Sequence, residues 1–260
     1  KHLGNLVQLY MHDNKIGHAG ETALRAMRSR NLLDKKRNDN NLNLNEQRLD
    51  NKDIASLAQY EKLDGIVSLS LRNNHFDYHG VQELANSPYL KNLTSLNLMS
   101  SAVKDKGLIL LAESPSLSQL EILNLENTGI TSLGILALSQ SPHISQLKEL
   151  NLSNNNLGKK GFRILAESKN FKNLVKLRIS GVSIGDAGFQ TIVQSNTLNQ
   201  LEELEIMGNA ISRKSLDSLL DSKLFSHLKK LDLRRNTLRD VDLIFLADSP
   251  KFQILEALRF

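Results

Sequence analysis

Apolar residues in the stretch LKELNLSNNNLGKKGFRILAESKNFKN, residues 147 to 173, follow two different periods. Leu150 and Leu152 alternate with polar neighbours and so share one face of a strand, whereas Phe162, Leu165 and Ala166 keep the three-and-four spacing of a helix face. The pattern predicts a strand followed by a helix. That unit returns along the chain: Ile66, Leu93, Leu120, Leu147, Leu174, Leu201, Leu228 and Leu255 stand 27 residues apart without a slip. Two earlier units fit the frame from Asp39 and from Leu6, the latter 33 residues before its neighbour. Units therefore begin near 6, 39, 66, 93, 120, 147, 174, 201 and 228, with a partial one at 255, and residues 1 to 260 form a single domain.

Finer punctuation repeats with the unit. Gly80, Gly107, Gly134, Gly161 and Gly188 fall at the junction of loop and helix, where close packing or backbone freedom is useful. Ser87, Ser114, Ser141, Ser168, Ser195, Ser222 and Ser249 recur near the helix end, and Pro88, Pro115, Pro142 and Pro250 follow as stops. Where the strand bends into the loop the chain carries Asn14, Gln47, Asn74, Ser101, Thr128, Asn155, Val182, Asn209 and Asn236. A short amide or hydroxyl there satisfies backbone groups that leave the ladder; Val182 cannot, which predicts a local irregularity. A unit of this size buries too little apolar surface to offset its own conformational entropy, so the units must stack into a solenoid.

The consensus L-x-x-L-x-L-x-x-N-x-L, as in LTSLNLMSSAV and LKELNLSNNNL, resembles that of leucine-rich repeat proteins, in the long-repeat subclass similar to ribonuclease inhibitor. The resemblance implies an α/β horseshoe with parallel strands on the concave face and helices on the convex face. It further implies a protein partner held on the concave face, an enzyme whose active site is occluded. The cysteine-free units with helix ends LANSP, LAESP and LADSP are also similar to leucine-rich-repeat effectors of intracellular bacteria, which implies a bacterial or host cytoplasm. One long-repeat family activates small GTPases; in that alternative Arg72 or Arg178 would lend charge to the transition state.

Outward strand positions are the candidate binding residues. Nine strands about 4.8 Å apart make a ribbon on the order of 40 Å long. Its first half is neutral and amide-rich, with Asn41, Asn43, Ser68, Ser70, Ser95, Asn97 and Ile122. The selected partner-binding set is Tyr10, His12, Arg72, Met99, Glu126, Glu149, Lys176, Arg178, Glu203, Glu205, Met207, Lys230, Asp232, Arg234 and Arg235. Interleaved charges suit docking in a fixed register. The competing reading is that they pair across strands and merely stabilise the sheet.

Composition narrows the rest. The 260 residues are 40% hydrophobic and only 5% aromatic with no Trp, so the core is aliphatic. Absence of Cys removes disulfide, zinc-thiolate and cysteine-nucleophile chemistry and suits a reducing compartment. No apolar run is long enough to span a membrane, and KHLGNLVQLY lacks the layout of a signal peptide. The chain opens on Lys1 and closes on Phe260 in mid-pattern, as a piece of a longer protein would.

Net charge is +5, and Arg25, Arg28, Arg30, Lys35, Lys36 and Arg37 against Asp34 account for all of it. This cluster, 25 to 37, coincides with the long first interval and predicts an irregular basic loop outside the sheet. A nucleic-acid or anionic-surface contact there is the second alternative function, although no aromatics are interleaved for base stacking. Catalysis finds no constellation. The histidines include no H-E-x-x-H, and His75, Asp77 and His79 share one loop without forming a metal motif. GVSIGDAG is not followed by the G-K-[ST] of a phosphate loop, and Glu203 and Glu205 lie in an open trough. The expectation is a binding module, not an enzyme, with no cofactor, no metal and no small-molecule substrate.

Overall fold

The computed structural model describes residues 17–248 and 255–260; Tyr10, His12 and Asn14 of the unit beginning at Leu6 lie outside them, as do Ser249 and Pro250. Among the described residues one ten-stranded sheet runs in chain order. A two-residue strand, β1 (Arg37–Asn38), opens it antiparallel to β2 (Asn41–Asn43). Parallel strands follow: β3 (Ser68–Ser70), β4 (Ser95–Asn97), β5 (Ile122–Asn124), β6 (Glu149–Asn151), β7 (Lys176–Arg178), β8 (Glu203–Glu205), β9 (Lys230–Asp232) and β10 (Ala257–Arg259). Their central leucines pair in one line, Leu42 with Leu69, Leu69 with Leu96, and finally Leu231 with Leu258.

Each strand from β2 to β9 is followed by a helix. After α1 (His18–Lys36) come α2 (Asn51–Ala58), α3 (Tyr78–Ala85), α4 (Lys104–Ala112), α5 (Ser132–Ser139), α6 (Gly158–Glu167), α7 (Gly185–Val193), α8 (Arg213–Leu220) and α9 (Asp240–Asp248). Consecutive helices from α1 to α8 pack side by side and make a second layer beside the sheet. The strand leucines, the second leucine column (Leu71, Leu98, Leu125, Leu152) and the helix residues Phe162, Leu165 and Phe189 meet in one continuous buried core between the two layers. None of the described helices is long and apolar enough to cross a membrane.

The buried polar residues form ladders from unit to unit. Asn155 accepts the backbone N–H groups of Thr128 (3.2 Å) and Ile130 (2.9 Å), and its amide donates to the carbonyls of Leu125 (2.7 Å) and Leu152 (3.0 Å). Asn74 does the same for Gln47 and Leu49, and Asn209 for Val182 and Ile184. The helix-end serines make a second ladder: Ser87 donates to the Ala58 carbonyl and Ser114 to that of Ala85, each at 2.6 Å. Asp105 caps the next unit's helix, accepting from Thr131 N–H (2.8 Å) and Gly134 N–H (2.9 Å). The junction glycines are there for closeness. A Cβ at Gly134 would stand 2.7 Å from Asp105 Oδ1, and one at Gly188 would stand 2.6 Å from Ile184 Cγ1.

Two expectations need revision here. The basic stretch 25 to 37 is not a loop: it is most of α1 and the start of β1. Arg25 and Arg28 turn inward onto Asp53, at 2.9 Å each, and Arg25 also meets Asp50 at 2.8 Å. Asp53 is only 3% exposed and Asp50 forms a capping box with it, so the cations compensate a carboxylate that would otherwise be buried alone. Arg37 is held by the carbonyls of Asp39 and Lys62. Burial opposes the charge of Arg25, but Asp53 and then Asp50 outweigh it and its pKa is raised. At Val182 the irregularity lies in the turn, not in the strand. Val182 N–H still reaches Asn209, while Gly181, Ser183 and Gly185 all take positive φ, where each of the other described turns has one or two such residues.

Candidate functional site

Alternation along each strand sends three residues per unit to the open face. Across the units these make three columns, since residues 27 apart pair directly. In the first column Glu149, Lys176, Glu203 and Lys230 alternate in sign over β6 to β9. Lys176 binds Glu203 directly and lies 3.7 Å from Glu205; Lys230 reaches Glu203 at 2.6 Å from the other side. In the second column Arg178 donates to Glu205 at 3.0 Å and approaches Glu149 at 3.8 Å. Hydrogen bonds from Lys176 and Lys230 hold the Glu203 carboxyl below its ordinary pKa, and Glu203 in turn raises that of Lys230. A shallow cavity of about 230 Å³ between β7 and β10 is lined by Lys176, Glu203, Glu205, Lys230, Asp232 and Arg259.

The charged half is thus a lattice of internal pairs, and the cross-strand stabilising reading of it gains weight. Asp232, one of the selected binding residues, is 5% exposed and spent on its own turn: it accepts Arg234 N–H at 3.2 Å and the Arg234 guanidinium at 2.6 Å. Burial pushes its carboxyl up, but the hydrogen bonds from Arg234 win and the pKa is lowered. Asn43, Asn97, Asn124 and Asn151 occupy the same column and accept a backbone N–H two residues on, so an Asx turn is what this position is for. Arg235 sits three residues beyond the end of β9, exposed at a turn position with φ 58°.

Other selected residues fall where expected. Arg72 is exposed and paired with Glu46 at 2.7 Å. Glu126 takes amide hydrogens from Asn151 (3.0 Å) and Asn154 (3.1 Å). Met99 and Met207 are half-buried at the strand ends. Ile122 is an outward position of the sequence pattern that lies outside the partner-binding set. It is 38% exposed on β5, between Ser95 and Glu149 in its column, with the serines and asparagines of β3 and β4 beside it. His75, Asp77 and His79 do not converge on a metal position: Asp77 caps α3 through His79 N–H and pairs with the His79 ring at 2.9 Å.

The Leucine Rich repeat family model matches residues 89–112, 143–163 and 226–247, each holding part of one strand-and-helix unit. The fold is a leucine-rich repeat solenoid. Its architecture is similar to that of an internalin, InlF, from Listeria monocytogenes, at 19% identity and a TM-score of 0.53, over 80% of this chain and 50% of that one. Listeria monocytogenes InlP matches at 14% identity and a TM-score of 0.45, over 69% of this chain and 46% of that one. The chain spans about half the length of these structures. No curated protein matches the sequence.

Proposed function

We propose that this leucine-rich repeat solenoid binds a partner protein on its open, concave strand face, seated on the neutral half from β2 to β6 and flanked by the charged lattice of β6 to β10. The observation that carries the reading is Ile122, an exposed apolar side chain on β5 beside the Ser and Asn of β2 to β4, on a face it shares with Arg72, Met99, Glu126 and Glu149. Apolar residues with polar surroundings are the usual anchors of protein interfaces. A ribbon on the order of 40 Å long offers room for one partner's share of an ordinary interface, about 800 Å². In the form implied by the resemblance to ribonuclease inhibitor, the partner is an enzyme and the ribbon covers its active site. The GTPase-activating alternative gains no support, because Arg72 and Arg178 are both engaged by carboxylates. Nucleic-acid binding at 25 to 37 is weakened in the same way by Asp50 and Asp53.

The test is affinity capture with the native chain, with Ile122→Asp, and with the charge-reversed Arg178→Glu, Glu203→Lys, Arg234→Glu chain. A protein retained in one-to-one ratio by the native chain and lost with Ile122→Asp is the expected result. The captured protein's activity should then fall in proportion to the chain added. Identical partners on the native and Ile122→Asp chains would overturn the reading.

A further inference from the structure

We infer that the turns following β5, β6 and β7 form a binding site for a neutral sugar. They line an open depression of about 460 Å³, a size ordinary for a small-ligand site. Two columns of equivalent turn positions supply most of its wall: Asn127, Asn154 and Gly181 in one, Gly129, Asn156 and Ser183 in the other. The glycines stand at opposite corners of this grid, so Asn154 and Asn156 each have one flank without a side chain. Gly181 has φ +63° and no room for a Cβ against Asn154 Oδ1, which keeps its corner open.

Elsewhere in the solenoid asparagine is spent on the fold. Asn74, Asn155 and Asn209 hold turn backbone, and Asn43, Asn97, Asn124 and Asn151 make Asx turns. At the depression the polar groups are available. Asn156 and Ser183 are exposed, and their side chains have no hydrogen-bond partner among the described residues. Asn127 donates to Ser100 Oγ at 3.3 Å and Asn154 to Glu126 at 3.1 Å, which leaves the carbonyl oxygen of each amide free to accept. Backbone donors add to these. The next unit's asparagine accepts the N–H groups of Gln47 and Leu49, of Thr128 and Ile130, and of Asn209 and Ile211. At the equivalent Asn155 and Leu157 the next unit offers Val182, which has no atom to accept them. Asn155 and Val182 both line the depression, so a ligand hydroxyl beside Val182 can take that role.

Free amides and a hydroxyl, donors and acceptors together, match the hydroxyl groups of a sugar. No charged and no aromatic residue lines the depression. The acids around it are occupied: Glu126 by Asn151 and Asn154, Asp105 by Thr131 and Gly134, and Asp186 by Ser212. The nearby cations Lys104 and Lys159 stand outside the lining. A charged ligand would thus give up its water without meeting an opposite charge. A nucleobase would find no ring to stack on, and an apolar ligand would find only the buried Ile130 and Val182. Three units cover two steps of the repeat, about 10 Å at the strand spacing, which suits one or two sugar rings and is too short to hold a peptide in register.

The probes are maltose, cellobiose and lactose, each added to the full chain and observed by saturation-transfer NMR. Binding of at least one is expected, and it should be insensitive to salt because no charge takes part. Its Kd should rise at least about tenfold in three variants. Asn156→Leu removes the free amide, Gly129→Asn fills the open corner with a residue that tolerates positive φ, and Val182→Asn takes the two N–H groups itself. The first two change exposed positions and should keep the native thermal midpoint, while Val182→Asn should raise it, so weaker binding there cannot come from unfolding. Ile122→Asp should leave binding unchanged, which separates this site from the strand face. The inference is overturned if none of the three sugars binds, if any of the three variants binds as tightly as the native chain, if Ile122→Asp abolishes binding, or if inorganic phosphate binds and the sugars do not.

Discussion

Asn155 shows how one side chain can hold two units together. It satisfies two buried N–H groups of the preceding turn and two carbonyls, none of which has water as an alternative. Asn155→Ala should therefore cost about 2–4 kcal/mol, since each orphaned buried group costs about 1–3 kcal/mol and some will relax. Urea unfolding reads this directly. Val182 is the complementary case: an asparagine there could serve the Asn155 turn as Asn209 serves its own neighbour, so Val182→Asn should raise the thermal midpoint. This ladder was legible in the sequence because its chemistry demands one residue type. The left-handed position beside it was not legible. Glu46, Asn73, Ser100, Asn127, Asn154, Gly181, Gly208 and Arg235 recur there with φ between 52° and 68°, and only two are glycine. The conformation is imposed by stacking, so side-chain type does not announce it. Glycine does matter at Gly158, where φ is +59° and an added Cβ would meet nothing. Gly158→Ala should cost about 1 kcal/mol for conformation alone.

At the scale of elements, α1 was the failure of the sequence reading and its cause is physical. Its helix formers, ETALRAMRSRNLLDKK, were outweighed by the density of charge. What makes the arginines structural is Asp50 and Asp53, in another unit, 25 to 28 residues away. Sequence pattern within a unit cannot reveal a pair between units that differ. Asp53→Ala would leave two half-buried guanidinium groups without their shared carboxylate and remove the α2 capping box. A loss of about 2–4 kcal/mol is expected. If the pair docks α1, hydrogen exchange in 18–36 should accelerate well before that in α3 to α6. Equal acceleration everywhere would mean that Asp53 acts on the whole stack instead. The helices after α1 are legible as elements because their apolar spacing repeats.

Over the whole molecule the solenoid couples each unit only to its neighbours, so the lattice of β6 to β10 acts as a local clamp on the second half. The strand face was legible as a set of outward columns, but not which charges were free, because pairing depends on distances that a repeat pattern does not give. Its response to pH follows from the direction of the shifts. Glu203 is held below its ordinary value of 4.5 chiefly by hydrogen bonds from Lys176 and Lys230. Asp232 is lowered from 3.8 because the Arg234 hydrogen bonds overcome its burial, and Asp50 is lowered in the same way by the Asp53 backbone N–H and Arg25. Each is ionised more readily folded than unfolded, so its contribution is complete above the ordinary value and disappears as pH falls through the folded one. Stability should therefore be flat from neutral pH to about 5 and fall below it as all three carboxylates take up protons. Glu203→Gln should begin less stable at neutral pH and fall less steeply in acid, and salt should narrow the gap between the two chains by screening the exposed part of the lattice. Denaturant unfolding across a pH series separates the cases: parallel curves for the native and Glu203→Gln chains would show that the lysines on either side of Glu203 contribute nothing to its ionisation, and that the clamp is geometry alone.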